Sequence, residues 1–247
     1  MNVLAVDVGG THVKILASGQ ETPRKFVSGP KLTAKQMVIQ VKKLAAGWTY
    51  EVASIGYPGP VLRGRPINDP KNLGPEWVGF NFEKAFGCPV KMINDAAMQA
   101  LGSYEGGRML FLGLGTGLGS ALIIDGVIEP MELAHLPYKK GTYEDYVGLR
   151  GLKKFGKKKW RRNVEDVVAC FVKALEPSDV VLGGGNVKLL KHMPPHCRAG
   201  ANANAFLGGF RLWEESAASP PAVAKPGASA KKVNGSAANS KVQAAGV

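Results

Sequence analysis

Cysteine is scarce. Cys88, Cys170 and Cys197 are the three in 247 residues, odd in number, widely spaced and without a C-x-x-C pair, which argues against a disulfide framework and against a cysteine-built zinc site. Long apolar runs are missing too. None approaches the roughly 20 residues that span a bilayer, and MetAsnValLeuAlaValAspVal passes straight into a strand pattern with no basic region or signal segment, so a cytoplasmic address and no membrane partner are expected. Acid is short: 19 Asp plus Glu face 32 Lys plus Arg, a formal charge of +13. A surplus of that sign favours anionic partners, whether nucleic acid, a membrane surface or a phosphorylated substrate, and does not choose among them. The last 31 residues hold four lysines and no acid, so the remainder carries about +9 (13 minus 4). That segment, 217–247, is rich in Ala, Pro, Gly, Ser, Asn and Lys, has too little apolar mass to pack, and is expected to be a disordered tail.

What the chain does have is 45% hydrophobic residues, enough for one large domain or two lobes, and glycine in telling places. From Met109 an apolar run climbs to Gly113, Gly115, Gly117 and Gly119, and a second apolar run, Ala121 to Ile124, follows. The pattern predicts strand, glycine turn, strand. Alternating glycines let backbone N–H groups turn toward one point and let an anion approach without meeting a Cβ, and Thr116 adds a hydroxyl. A dinucleotide fingerprint needs G-x-G-x-x-G and a following helix, and neither is present. A second such hairpin opens the chain: a strand over residues 2–8 reaches Asp7, Gly9 and Gly10 turn, and ThrHisValLysIleLeuAla resumes as a strand. Asp7 before the turn and Thr11 after it would put a carboxylate and a hydroxyl beside a phosphate, the carboxylate suited to hold Mg²⁺ through water. The plainer reading of each is an ordinary Gly-rich hairpin, with Asp7 capping its own turn.

Between the hairpins the spacing predicts a helix over Thr33–Ala46 stopped by Gly47, a strand Val52–Tyr57 broken by GlyTyrProGlyProVal, and a long irregular segment, 63–82, more suited to line a site than to be idle. Asn72 and Trp77 are its plausible contacts, although a tryptophan such as Trp77 is more often simply a core aromatic. A short helix, Phe82–Phe86, leads to a strand ending at Asn94 and Asp95, where a helix begins. Asp95 is either an N-cap or a base facing a ligand crevice, with the helix N-terminus keeping it ionised. Glu132 and His135 stand one helical turn apart, too few for a metal site and suited to hydrogen bonds with a polyhydroxylated molecule. A short helix holds Glu144. Then LysLysPheGlyLysLysLysTrpArgArg packs seven positive charges into 153–162. This is a solvated basic face, or a track for polyphosphate or nucleic acid, with Phe155 and Trp160 stacking on bases or anchoring the segment. A helix over Asn163–Leu175, a strand AspValValLeu, a turn GlyGlyGlyAsn at 183–186 opening another helix, and a last helix over 203–215 complete the pattern.

AspValGlyGlyThrHisValLys, the AsnAsp pair, LeuGlyThrGlyLeuGly, GluLeuAlaHis and ValLeuGlyGlyGlyAsn occur in the order seen in sugar kinases of the actin-like ATPase superfamily. More narrowly the chain resembles the ROK family, and especially its polyphosphate glucokinase branch, over nearly residues 2–191. The resemblance implies an α/β, ribonuclease H-like fold of two lobes, each a mixed sheet flanked by helices. The expected division is 1–96 for the first lobe, 97–202 for the second, a helix over 203–216 returning to the first, and the tail. It implies that Asp95 is the base for the accepting hydroxyl and that Asn94, Glu132, His135 and Glu144 hold the sugar, with Asn72 nearby. Asp7, Gly9, Gly10, Thr11 and Lys14 of the first hairpin and Gly115, Thr116 and Gly117 of the second would take the phosphates, and Gly183, Gly184 and Gly185 the adenosine or distal donor. The expected activity is phosphoryl transfer from ATP or polyphosphate to a hexose, glucose first, with Mg²⁺. The zinc-binding cysteine cluster of many ROK proteins is missing, so no structural zinc is expected. A homodimer is compatible with this reading. The rival readings are a ROK kinase using ATP on another hexose or an N-acetylhexosamine, and a non-catalytic basic protein that binds nucleic acid; no helix-turn-helix precedes Asp7, which weighs against the latter.

Overall fold

Val3–Val8 (β1) is buried along its whole length while His12–Ala17 (β2) alternates buried and half-buried residues, the signatures of a central strand and its neighbour. The computed structural model, which describes residues 1–201 and 203–214, places Arg24–Val27 (β3) beyond β2. Thr33 closes a capping box with Gln36 at the head of Ala34–Leu44 (α1), the start its sequence predicts. Val52–Tyr57 (β4) returns parallel to β1. Val61–Leu62 (β5) and Arg65–Pro66 (β6) form a small hairpin, and Phe82–Phe86 (α2) ends at Gly87 with φ +80°. Val90–Asn94 (β7) then completes a sheet of order β3-β2-β1-β4-β7.

Asp95–Ser103 (α3) carries the chain onward to Arg108–Leu114 (β8), Leu118–Ile124 (β9) and Val127–Met131 (β10). The turn between β9 and β10 has positive φ at both Asp125 and Gly126, the backbone that a two-residue Asp-Gly hairpin demands. Pro137–Tyr138 (β11) and Gly141–Thr142 (β12) form a short ribbon, followed by Tyr143–Val147 (α4) and Leu149–Leu175 (α5). Asp179–Gly183 (β13) and Cys197–Ala199 (β14) finish a second sheet of order β10-β9-β8-β13-β14. The two sheets share one plan: a central strand runs into a glycine hairpin, two antiparallel strands lie on one side, and two parallel ones on the other.

Helix α3 packs against strands of both sheets, and Asn204–Arg211 (α6) crosses it and lies on β1 and β4. The crossing is backbone on backbone. A Cβ on Gly208 would collide with the Met98 carbonyl, and one on Gly102 with the carbonyl of Asn204. Ser54 Oγ donates to Gly209 O at 2.5 Å and accepts from Trp213 Nε1 at 2.9 Å. The last helix is thus shorter than the span 203–215 read from sequence, and Glu215 and the expected tail lie outside the described residues.

The helix expected to begin at Asn163 begins at Leu149, so the basic run is helical, interrupted at Gly156 (φ 71°, ψ 163°). Tertiary anchors override the charge. Trp160 is buried and donates Nε1–H to Val147 O at 2.7 Å, and Phe155 stacks on Tyr146 at 5.1 Å between centroids. Among the described residues no helix is long and apolar enough to cross a membrane.

Candidate functional site

Both glycine hairpins, 105 residues apart between Gly10 and Gly115, open onto one cleft of about 700 Å³. Asp7, Gly9, Gly10, Thr11, Lys14, Asn72, Asn94, Asp95, Gly115, Thr116, Gly117, Glu132, His135, Glu144, Gly184 and Gly185 all line it, together with the Pro58–Pro60 loop at the end of β4. Gly183 does not. It is the last residue of β13, buried, with its α-carbon where any Cβ would strike the Phe111 ring. The turn that follows opens no α-helix, contrary to the sequence expectation, only a 3-10 turn over Val187–Leu189. Gly184, at φ +86°, is pressed against the backbone of Leu114, which ties this turn to the second hairpin rather than to a helix of its own. Trp77 also stays out of the cleft: it is buried in the core beside Tyr57 and Phe82, with its Nε1–H on Leu32 O at 3.3 Å.

Several hairpin carbonyls are occupied, while the N–H groups, apart from those of Gly9 (to His12 O) and Gly115 (to Gly113 O and Gly117 O), are not. Ser28 Oγ donates to Gly9 O at 2.7 Å and Ser28 N–H to Thr11 O at 3.0 Å. Asn186 Nδ2 donates to Gly115 O at 2.9 Å, and Leu149 N–H to Thr116 O at 3.1 Å. The N–H groups of Gly10, Thr11, Thr116, Gly117, Gly184 and Gly185 find no protein acceptor among the described residues. Unpaired donors converging on a concave surface make a receptor for an anion, because each must otherwise be satisfied by solvent.

Asn94, not Asp95, is the N-cap of α3. Its Oδ1 accepts from Ala96 N–H (2.9 Å) and Ala97 N–H (3.2 Å), and its Nδ2 donates to Gly59 O at 3.1 Å. Asp95 is thereby released from capping and keeps one backbone bond, from Ala96 N–H at 2.8 Å. Its carboxyl is not held ionised as the helix N-terminus suggested. Burial, then the charges of Asp7 and Glu132, outweigh the backbone bonds and push it up to about 7. Asp7 is likewise raised by burial, against the pull of Lys14, whose Nζ lies 3.4 Å from Oδ2. The two face each other across the β1/β2 register.

Glu144, positioned by the Thr142–Asp145 capping box of α4, accepts from Leu118 N–H at 3.3 Å and fills the space that a side chain on Gly117 would need. Asn72 sits against the other hairpin, where a Cβ on Gly10 would lie 3.3 Å from its own. Glu132, the N-cap residue of the 3-10 turn Leu133–His135, and His135, its last residue, are both exposed. Gln99, Asn186 and Lys71 also line the cleft and escaped the sequence reading. Gln99 was the findable one, since it falls one helical turn after Asp95. Among the described residues no group of three or more His, Cys, Asp or Glu is placed to hold a metal. An oxygen-only donor set, buried Asp7 beside the half-buried Asp95, fits a hard cation bound mainly through water.

The family model that matches, the ROK family, covers residues 3–129. The polyphosphate glucokinase of Mycobacterium leprae is 26% identical over 201 residues, 74% of this chain and 59% of that protein. The polyphosphate glucokinase of Mycobacterium tuberculosis strain CDC 1551 is 27% identical over 203 residues, 73% of this chain and 76% of that one. Among solved structures, the inorganic polyphosphate/ATP-glucomannokinase of Arthrobacter sp. strain KM superposes with a TM-score of 0.70 at 21% identity, covering 84% of this chain and 96% of that one. The ROK family glucokinase of Streptomyces griseus, in complex with glucose and AMPPNP, superposes at 0.71 and 17% identity, covering 86% and 99%. The fold is that of the actin-like sugar kinases, and with half of its length matched by the family model the chain belongs to the ROK family.

Proposed function

We propose that the protein transfers a phosphoryl group from polyphosphate or ATP to a hexose hydroxyl, glucose being the first acceptor to test. The observation that carries this reading is the set of unpaired N–H groups on two facing hairpins with the Asp95 carboxyl in the cleft they line. Phosphoryl transfer asks little covalent chemistry of a protein. Catalysis rests on holding donor and acceptor in line and on neutralising charge, and preorganised N–H donors supply both. Asp95 accepts the proton of the attacking hydroxyl at a carboxylate oxygen. A base titrating at about 7 is half ionised near neutrality and strong enough to take that proton as the hydroxyl attacks. Asn94, Glu132, His135 and Glu144 offer the alternating donors and acceptors that a sugar ring requires, and Lys14 and Thr11 add a charge and a hydroxyl beside the first hairpin. Asp7 would hold Mg²⁺ through water, and that ion would offset the negative charge of the donor phosphates.

For the donor, one feature favours polyphosphate. Lys153, Lys154, Lys157, Lys158, Lys159 and Arg162 are exposed on α5 without an acidic partner among the described residues, and the same helix begins at the second hairpin through Leu149. A long polyanion leaving the cleft along α5 would meet that row. The deciding experiment incubates the full chain with glucose, Mg²⁺ and either ATP or polyphosphate and follows products by phosphorus NMR. Glucose 6-phosphate is expected, and absence of any sugar phosphate with both donors and a panel of hexoses would sink the proposal.

A further inference from the structure

In a trans peptide unit the C=O of one residue and the N–H of the next point in opposite directions, so whatever grips the carbonyl decides where the N–H aims. The Gly9 carbonyl is gripped by the Ser28 hydroxyl at 2.7 Å, and its plane-mate is the unpaired N–H of Gly10. The Gly115 carbonyl is gripped by Asn186 Nδ2 at 2.9 Å, and its plane-mate is the unpaired N–H of Thr116. Asn186 is itself fixed at its root, because its own N–H is bound to Leu114 O at 3.0 Å. Glycine-flanked peptides turn over at low cost. Without these grips, rotation of either plane would aim a carbonyl oxygen at the place where an anion must sit, exchanging attraction for repulsion.

We infer that Ser28 and Asn186 are positioning residues that lock the two hairpins with their N–H groups turned into the cleft, one lock for each sheet. This rests on the reading of the cleft as a phosphate-donor site. The two locks are unrelated in sequence and in element: Ser28 follows an edge strand, and Asn186 follows the glycine turn after β13. Yet each places a side-chain donor on the carbonyl of the glycine just before the turn peptide. A merely structural hydrogen bond would have no reason to fall at the equivalent atom in both copies.

The test compares the full chain with Ser28→Ala, Ser28→Thr and Asn186→Leu, the last matching asparagine in shape without its donor. Tripolyphosphate binding is measured by calorimetry, glucose binding by tryptophan fluorescence, and fold by thermal melting. Loss of one grip is worth about a factor of ten in the population of the correct peptide orientation. Tripolyphosphate affinity should therefore fall about tenfold in Ser28→Ala and in Asn186→Leu, with glucose affinity unchanged within about twofold and Ser28→Thr restoring the wild-type value. Unchanged tripolyphosphate affinity in both variants overturns the inference, as does a loss that glucose affinity and melting share and Ser28→Thr does not rescue. A parent protein that fails to bind tripolyphosphate overturns it too. If the parent binds tripolyphosphate and transfers nothing to any hexose, the kinase reading falls while the locks stand.

Discussion

Replacing Asp95 with asparagine should make the protein both inactive and more stable, and the stability gain should grow with pH. The carboxyl sits at about 7 rather than 3.8 because burial and the neighbouring charges of Asp7 and Glu132 oppose its ionisation. The sign follows from proton uptake. Between about pH 4 and pH 7 the folded chain holds a proton at Asp95 that the unfolded chain has released, so stability falls as pH rises across that window and levels off above it. From 3.8 to about 7 is roughly three decades in proton affinity, and at about 1.4 kcal/mol per decade the ceiling is about 4 kcal/mol above pH 7 and about 1 to 2 kcal/mol at pH 5. Water in the cleft reaches part of the side chain, so about 2 to 4 kcal/mol is the expectation at pH 8. Asparagine keeps the oxygen that accepts from Ala96 N–H and loses the charge. Urea unfolding of parent and variant at pH 5 and pH 8, without donor, sugar or metal, reads the difference directly. Turnover of the same variant should fall at least about a hundredfold, the usual worth of a general base, with sugar affinity little changed. A gain equal at both pH values, or a variant less stable at pH 8, would refute the electrostatic account. Near-normal turnover would remove Asp95 from the role of base.

Asp7→Asn removes the second largest cause of the Asp95 shift, so the acid limb of the kcat/KM profile should move to lower pH, measurable even if the rate falls. Gly208→Ala drives a methyl into the Met98 carbonyl at the α3/α6 crossing; a loss of about 3 kcal/mol or more in urea unfolding is expected, since neither backbone can withdraw. Trp160→Phe leaves the Val147 carbonyl without its 2.7 Å donor and should cost about 1 to 3 kcal/mol, read by thermal melting, with turnover at saturating substrate preserved.

Local chemistry made some of this molecule readable. Each glycine hairpin announced itself through an apolar run on either side, α2 through the Gly87 stop, and the β9/β10 turn through Asp125 and Gly126. What could not be read depended on distant partners. The basic run 153–162 in α5 has seven charges of one sign, and it is a helix because Trp160 and Phe155 are anchored on Val147 and Tyr146. Three consecutive glycines look alike in a sequence, and only the Phe111 ring and the Leu114 backbone separate Gly183 from Gly184 and Gly185. The Asp95 carboxyl is raised first by burial and then by Asp7, which comes from the other end of the first sheet's sequence.

The repeated plan of the two sheets shows why the copies cannot be identical. The register that pairs Asp7 with Lys14 in the first hairpin pairs Gly113 with Gly119 in the second. Where one copy carries a carboxylate and an ammonium, the other carries nothing beyond the backbone. The reason lies in α3. A Cβ on Gly119 would stand 2.8 Å from the Cβ of Ala96, closer than two methyl groups can approach. Any side chain there would push the first turn of α3 off β9, and Asp95, the residue before Ala96, would move with it. Charge is therefore carried by the other hairpin, while the bare hairpin lets the helix bring its carboxyl up to the cleft.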